Sequence, residues 1–237
     1  MTTQPQDSFS FDWKPLLDIG LLLIASFGLL FIFQAIPGLE ENFMLAASLG
    51  PALILLTTWL ILRRRGISFR QLGVRMPDNL AKAIGIGLLI SLGLFIVSTA
   101  TEALGLTRDL SRFDSLKDNL PFALFGVLFG FFGAGFYEEV VFRGFLSNRV
   151  AHTLGAGKRA WIIAILAQGV IFGLAHASQG IYGIFYTGLL SMGLAAIYVY
   201  GGRNLWPIII GHGVYDSVRF VYFYYMLTYG GMETLAG

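Results

Sequence analysis

Apolar positions along this chain come in long blocks, not in the stripes of a soluble amphipathic helix. Residues 19–39, 42–62, 83–101 and 119–137 contain no Asp, Glu, Lys or Arg. Each is close to the ~20 residues that a helix needs to cross the hydrocarbon core of a bilayer. The fourth block is expected to continue helically through Glu138, Glu139 and Arg143 to about Leu146. Residues 160–202 then run for 43 positions without an acid, Lys or Arg, roughly twice what one crossing uses at 1.5 Å per residue. They must fold back on themselves, and Ser178-Gln179-Gly180 is the natural break. A last apolar segment, 205–229, carries Asp216 and Arg219 inside it. The pattern predicts an all-α, polytopic membrane helix bundle of seven to eight spans, eight if one segment is broken.

Domain organisation follows from the same pattern: a polar N-terminal tail over 1–14, one transmembrane domain over 15–230 and a frayed C-terminal tail over 231–237. The first apolar run is too long for the core of a signal peptide, so it is read as a retained helix. Residues 67–76 alternate bulky apolar side chains with Arg70 and Arg75 and suit an interfacial helix. Glycine spacings such as Gly126-x-x-x-Gly130 and Gly130-x-x-Gly133-x-Gly135 mark helices that pack closely. No internal repeat supports an inverted-repeat transporter.

Composition agrees with the pattern. Of 237 residues, 56% are hydrophobic and only 13% charged, against about 25% charge in a soluble domain. A net charge of +2 gives no reason to expect a nucleic-acid partner, and the absence of cysteine removes disulfides, thiolate metal sites and a cysteine nucleophile. The lipid bilayer is the partner the composition demands. Basic residues fall unevenly on the two sides. With the N-terminus inside, the cytoplasmic loops and span ends hold Lys14, Arg63, Arg64, Arg65, Arg70, Arg75, Lys82, Arg149, Lys158, Arg159 and Arg203, while the other side holds Arg108, Arg112 and Lys117. The bias places the N-terminus in the cytoplasm and, with an odd span count, the C-terminus outside, in a membrane expected to be the prokaryotic cytoplasmic one.

Ionisable groups inside spans are expensive and are functional hypotheses by default. They are Glu138, Glu139, Arg143, His176, His212, Asp216 and Arg219. Asp18 and Glu102 sit at span ends, where reaching interfacial water explains them, and His152 lies in a polar loop. Successive helical residues point about 100° apart, so Glu138 and Glu139 cannot face one spot. Glu139 and Arg143 are spaced i, i+4 in the favourable order and need each other in a low dielectric. Glu138 is left with Ala134 and Phe142 on its own helix, as a desolvated carboxylate suited to general-base work. A single structural ion cluster of all three is the competing explanation. Phe172-x-x-x-His176 and His212-x-x-x-Asp216 add polar groups on two further spans. There is no H-E-x-x-H and no G-x-S-x-G elbow around Ser191.

Glu138-Glu139-x-x-x-Arg143, Phe172-x-x-x-His176 and His212-x-x-x-Asp216, in that order on three hydrophobic spans, with Asn204-Leu205-Trp206-Pro207 ahead of His212, resemble the CPBP family. That family comprises type II CAAX prenyl endopeptidases and bacteriocin-processing, abortive-infection-like intramembrane proteases. The resemblance covers roughly 120–223. It implies an endopeptidase that hydrolyses a peptide bond of a membrane-associated protein or peptide, of CAAX type (with a prenylated substrate) or of leader-peptide type, in an intramembrane cavity open to the cytoplasmic leaflet. In that reading Glu138 activates water, His176 orients it, His212 and Asp216 support the oxyanion, and Glu139, Arg143, Phe172 and Arg219 support the site. Family members commonly carry Asn at the position of Asp216. An ionised Asp donates no hydrogen bond, so Asp216 is protonated, orients His212 or pairs with Arg219; the last two fit the residues better. The reading requires no cofactor as first choice. A Zn²⁺ site from Glu138, His176, His212 and Asp216 is the alternative, although no i, i+4 His pair pre-forms it. A non-catalytic immunity or scaffold protein and a proton-coupled transporter are the rivals from other classes. One geometric requirement stands out: a straight fifth span would carry His176 to the far surface, so that span must enter deeper or the fourth must be shifted.

Overall fold

The computed structural model describes residues 11–36 and 43–235. The described part is all-helical: α1 (Lys14–Ala35), α2 (Phe43–Arg64), α3 (Leu80–Ala103), α4 (Leu120–Phe129), a wider-wound π segment (Gly130–Leu146), α5 (Ser147–Thr153), α6 (Lys158–Ala175), α7 (Gly180–Tyr200) and α8 (Trp206–Thr228). Six helices are long and apolar enough to cross a membrane, the fourth running without interruption from Leu120 to Thr153. The 23-residue α8 is equally long but carries the polar residues of the last apolar segment. Six helices thus qualify as spans against the seven to eight predicted, α8 being the predicted span that falls short, and the predicted break at 178–180 is a single 3-10 turn, Ala177–Gln179, ending at Gly180 with φ +78°.

Large apolar side chains cover the outside: Ile24 is 71% exposed, Leu89 69%, Phe132 62% and Leu189 67%. Water could not solvate such a surface without severe cost, whereas lipid tails cover it freely. The interior is filled by Val140, Trp161, Ala164, Tyr198, Ile208 and Ile209, and polar side chains mark where helices begin. The Asn79 side chain accepts from Lys82 N and the Asn119 side chain from Phe122 N, each capping a helix start. Asn204 accepts from Trp206 N at 2.9 Å and donates to Arg75 O at 3.1 Å, which pins the start of α8.

Glycines let the site-bearing helices meet. A Cβ on Gly130 would lie 2.6 Å from Ser217 N, and one on Gly135 would lie 2.6 Å from Gly213 Cα. The π segment and α8 thus touch backbone to backbone, as the glycine spacing predicted.

Loops sort onto two ends. One end gathers Asp12 N with Thr153 O, Leu205 N with Gly73 O, and Arg75 with Gly202 O. The other gathers the 104–119 segment, the 176–180 turn and the C-terminal strand of chain: Asp109 N donates to Gln179 O, and Leu110 N to Leu235 O.

Several expectations are corrected. Residues 67–76 form turns and no interfacial helix, because Leu72 is buried and its carbonyl accepts from Tyr198 OH at 2.9 Å. Residues 231–235 are not frayed: Leu235 is buried, and Asp114 accepts from its N–H at 2.7 Å. Asp18 does not reach interfacial water; it is buried, 2.9 Å from Arg65 Nε and 3.6 Å from Arg149 Nη1. His152 lies in the last turn of α5. Residues 1–10 of the predicted N-terminal tail and 236–237 of the C-terminal tail lie outside the described residues.

Candidate active site

Three helices supply the site, and one of them is wound differently from the others. The π segment makes i→i+5 bonds, ending with Ser147 N on Phe142 O. This rare winding is frequent at functional sites. More residues per turn means less advance per residue than in an α-helix. α6 is 18 residues long, about 27 Å at the α-helical rise, and stops at His176 under the 104–119 segment. Glu138, His176 and His212 converge all the same, since all three line one cavity.

Glu138, His176, His212 and Asp216 line one cavity of about 140 Å³, together with Arg143 and Phe172. Glu138 is half-buried, and no described residue hydrogen bonds to its carboxylate or pairs with it. Its neighbour Glu139 points the other way and is fully buried. Glu139 Oε1 lies 3.1 Å from Arg143 Nη1 and 2.7 Å from His212 Nδ1. The division between a lone acid and a paired one is as the helical spacing predicts, but the bond from Glu139 to His212 is new. It joins residues 73 apart, and no pattern within a single helix carries that signal.

Arg143, 1% exposed, also lies over the Phe172 ring at 4.5 Å, a cation–π contact that is strengthened when desolvated. His176 also lies against Phe172, the two ring centroids 4.4 Å apart. His176 Nδ1 lies 2.8 Å from Phe172 O. A carbonyl only accepts, so Nδ1 carries the proton and Nε2 is the acceptor of the neutral ring.

His212 is held from both sides, with Nε2 3.3 Å from Asp216 Oδ2. Of the alternatives for Asp216, the one observed is the contact with His212. The expected Asp216–Arg219 pair is not formed. Arg219 instead donates to Ser98 Oγ, to Tyr215 OH at 3.1 Å and to Glu102 Oε1 at 3.2 Å. Its three-carbon stem carries the guanidinium across to α3, and so Glu102, expected to reach interfacial water, is a partner in an interhelical cluster.

Zn²⁺ fits this arrangement poorly. Among the described residues no three of His, Asp and Glu stand where they could hold one ion. Both ring nitrogens of His212 face carboxylates, leaving neither lone pair directed at an open position. Ser191 is spent on structure, its hydroxyl donating to Gln168 Oε1 at 2.9 Å.

The cavity reaches only one end of the bundle. Its rim includes Arg108 and Arg112 of the 104–119 segment and Gln179 of the α6–α7 turn, and no residue of the 63–79, 154–157 or 201–205 loops lines it. Sequence reasoning missed Arg108 and Arg112 as site residues, since both sit outside any apolar span.

Residues 119–218 match the model of the family described as type II CAAX prenyl endopeptidase Rce1-like. No curated protein and no solved structure matches the chain. The matched stretch runs from the cap of α4 into α8 and contains Glu138, His176, His212 and Asp216. Over this stretch the chain is similar to the type II CAAX prenyl endopeptidase Rce1-like family, within a helical protein that carries six helices long and apolar enough to cross a membrane among its described residues.

Proposed function

We propose that the protein is a metal-independent, glutamate-dependent intramembrane endopeptidase acting on a membrane-associated protein or peptide. The observation that carries the reading is a partnerless Glu138 sharing one cavity with His176 and His212 from two other helices. Glu138 takes a proton from water as the water oxygen bonds to the scissile carbonyl carbon. The lone pair on His176 Nε2 orients that water. The carbonyl electron pair moves onto oxygen, which takes over from Asp216 as acceptor of the His212 Nε2–H. A ring protonated on both nitrogens satisfies Glu139 and Asp216 at once, so Asp216 is a positioning residue for His212. The C–N bond then breaks, and Glu138 returns its proton to the leaving amine.

Orientation follows from combining the basic-residue bias with the site. The eleven Lys and Arg residues of the loops and span ends on the N-terminal side stay in the cytoplasm. The cavity rim is at the opposite end. A cytoplasmic N-terminus and a cavity open to the cytoplasmic leaflet are therefore incompatible, and the charge bias favours a cavity reached from the non-cytoplasmic side.

The reading is tested with purified protein, a mixed peptide library and water enriched in ¹⁸O. New C-termini carrying one ¹⁸O atom, absent with Glu138→Gln and unchanged by a chelator, are expected. Cleavage that survives Glu138→Gln, or stops with the chelator and returns with Zn²⁺, contradicts it.

A further inference from the structure

Two arginines stand at the rim of the cavity without a carboxylate to neutralise them. Arg108 donates to Gln179 Oε1 at 3.3 Å and lies over the Tyr186 ring at 4.3 Å. Arg112 donates to Ser178 Oγ at 3.2 Å and lies over the Phe113 ring at 4.8 Å. Neither is part of any ion pair among the described residues. The nearest acid in sequence, Asp109, is engaged elsewhere. It accepts from Ser111 N at 2.9 Å and from Ser111 Oγ at 2.6 Å, which holds its carboxyl below the usual carboxylate range and leaves it to act on Arg112 only at longer range.

The two guanidinium groups repel each other, and Arg112 is within electrostatic reach of Glu138 and Asp216. Positive charge at the rim and carboxylates deeper in the cavity give the site a direction. A guanidinium stacked on a ring, with long bonds to neutral acceptors, keeps N–H groups free for the bidentate pairing with carboxylate that arginine favours.

We propose that Arg108 and Arg112 form a subsite for a carboxylate of the substrate, either a free C-terminus or an acidic side chain, lying to one side of the scissile bond. The proposal rests on the protease reading, with the peptide threaded from the rim toward Glu138. The arginines are specificity residues and take no part in the chemistry. Roughly tenfold discrimination is expected, since one charge-assisted pair of ordinary strength is worth about that factor.

Three peptide libraries from one protein mixture test this. The first keeps all carboxyls free. The second is amidated before digestion, so that only the new C-termini are free. The third is amidated after digestion, so that none is free. Wild type should cleave the first about tenfold faster than the third, at a fixed spacing from a free carboxylate. The second library tells the source: cleavage at the rate of the first assigns the C-terminus, and cleavage at the rate of the third assigns the side chain.

The double variant Arg108→Gln/Arg112→Gln should reduce the first library to the rate of the third through KM, with kcat retained. The double variant to Lys should keep part of the preference. Retention of each library on immobilised Glu138→Gln protein reads the same preference without turnover. No cleavage by wild type but preferred retention of free carboxylates would overturn the protease reading and keep the subsite. Equal retention and equal cleavage of the first and third libraries would overturn the subsite and keep the protease. Preference that persists in the double Gln variant would also overturn it.

Discussion

Adjacent glutamates do opposite jobs here. Glu139 is fully buried between Arg143 and His212, and removing its charge leaves a buried guanidinium without a counter-ion. Breaking such a pair costs about 3–5 kcal/mol, so Glu139→Gln should lower stability in detergent by that order, read by denaturant or thermal unfolding. Glu138 has no partner to lose, and Glu138→Gln should change stability by no more than about 0.5 kcal/mol. His212→Gln removes the ring N–H assigned to the oxyanion. It should reduce kcat by roughly 10²–10³ with KM little changed, measured on any peptide that wild type cleaves.

At the scale of elements, contact between the π segment and α8 sets the distance between Glu138 and His212. Gly130→Ala would place a methyl 2.6 Å from Ser217 N, against backbone that cannot swing aside. The expected cost is about 1–3 kcal/mol, with activity falling further because the two helices part. Gly85→Ala, on α3 with nothing within 4 Å of the added Cβ, should be neutral or stabilising by up to about 1 kcal/mol. Unfolding curves and cleavage rates of the two variants check the contrast.

Much at this scale was legible in the sequence. Block hydrophobicity located every long helix, uncharged length demanded the break at 178–180, and the i, i+4 rule found Glu139–Arg143. What escaped was everything decided between helices. Two of the three partners of Arg219 are 117 and 121 residues away, and choosing Glu102 and Ser98 over the nearer Asp216 depends on which face of α8 meets α3. The π winding escaped as well, since the number of residues per turn leaves no trace in block hydropathy. The turns at 67–76 mimic an amphipathic helix in composition, while Leu72 is in fact held inside by Tyr198.

For the whole molecule, the two ends differ in charge as well as in access to the cavity. Because the chain has no native cysteine, single cysteines report sidedness directly. Ser115→Cys, exposed on the 104–119 segment, should react with a membrane-impermeant maleimide on intact cells. Ser68→Cys, exposed at the basic end, should react only after permeabilisation. The reverse pattern would place the cavity on the cytoplasmic side and overturn the orientation.

The central claim, peptide-bond hydrolysis by Glu138, is tested most directly by mass spectrometry of peptide termini in membranes carrying wild type, Glu138→Gln or Glu139→Gln. The account predicts a set of new termini with wild type that vanishes with Glu138→Gln at undiminished protein level, and that with Glu139→Gln falls only in step with the loss of folded protein. Termini that persist with Glu138→Gln would contradict it.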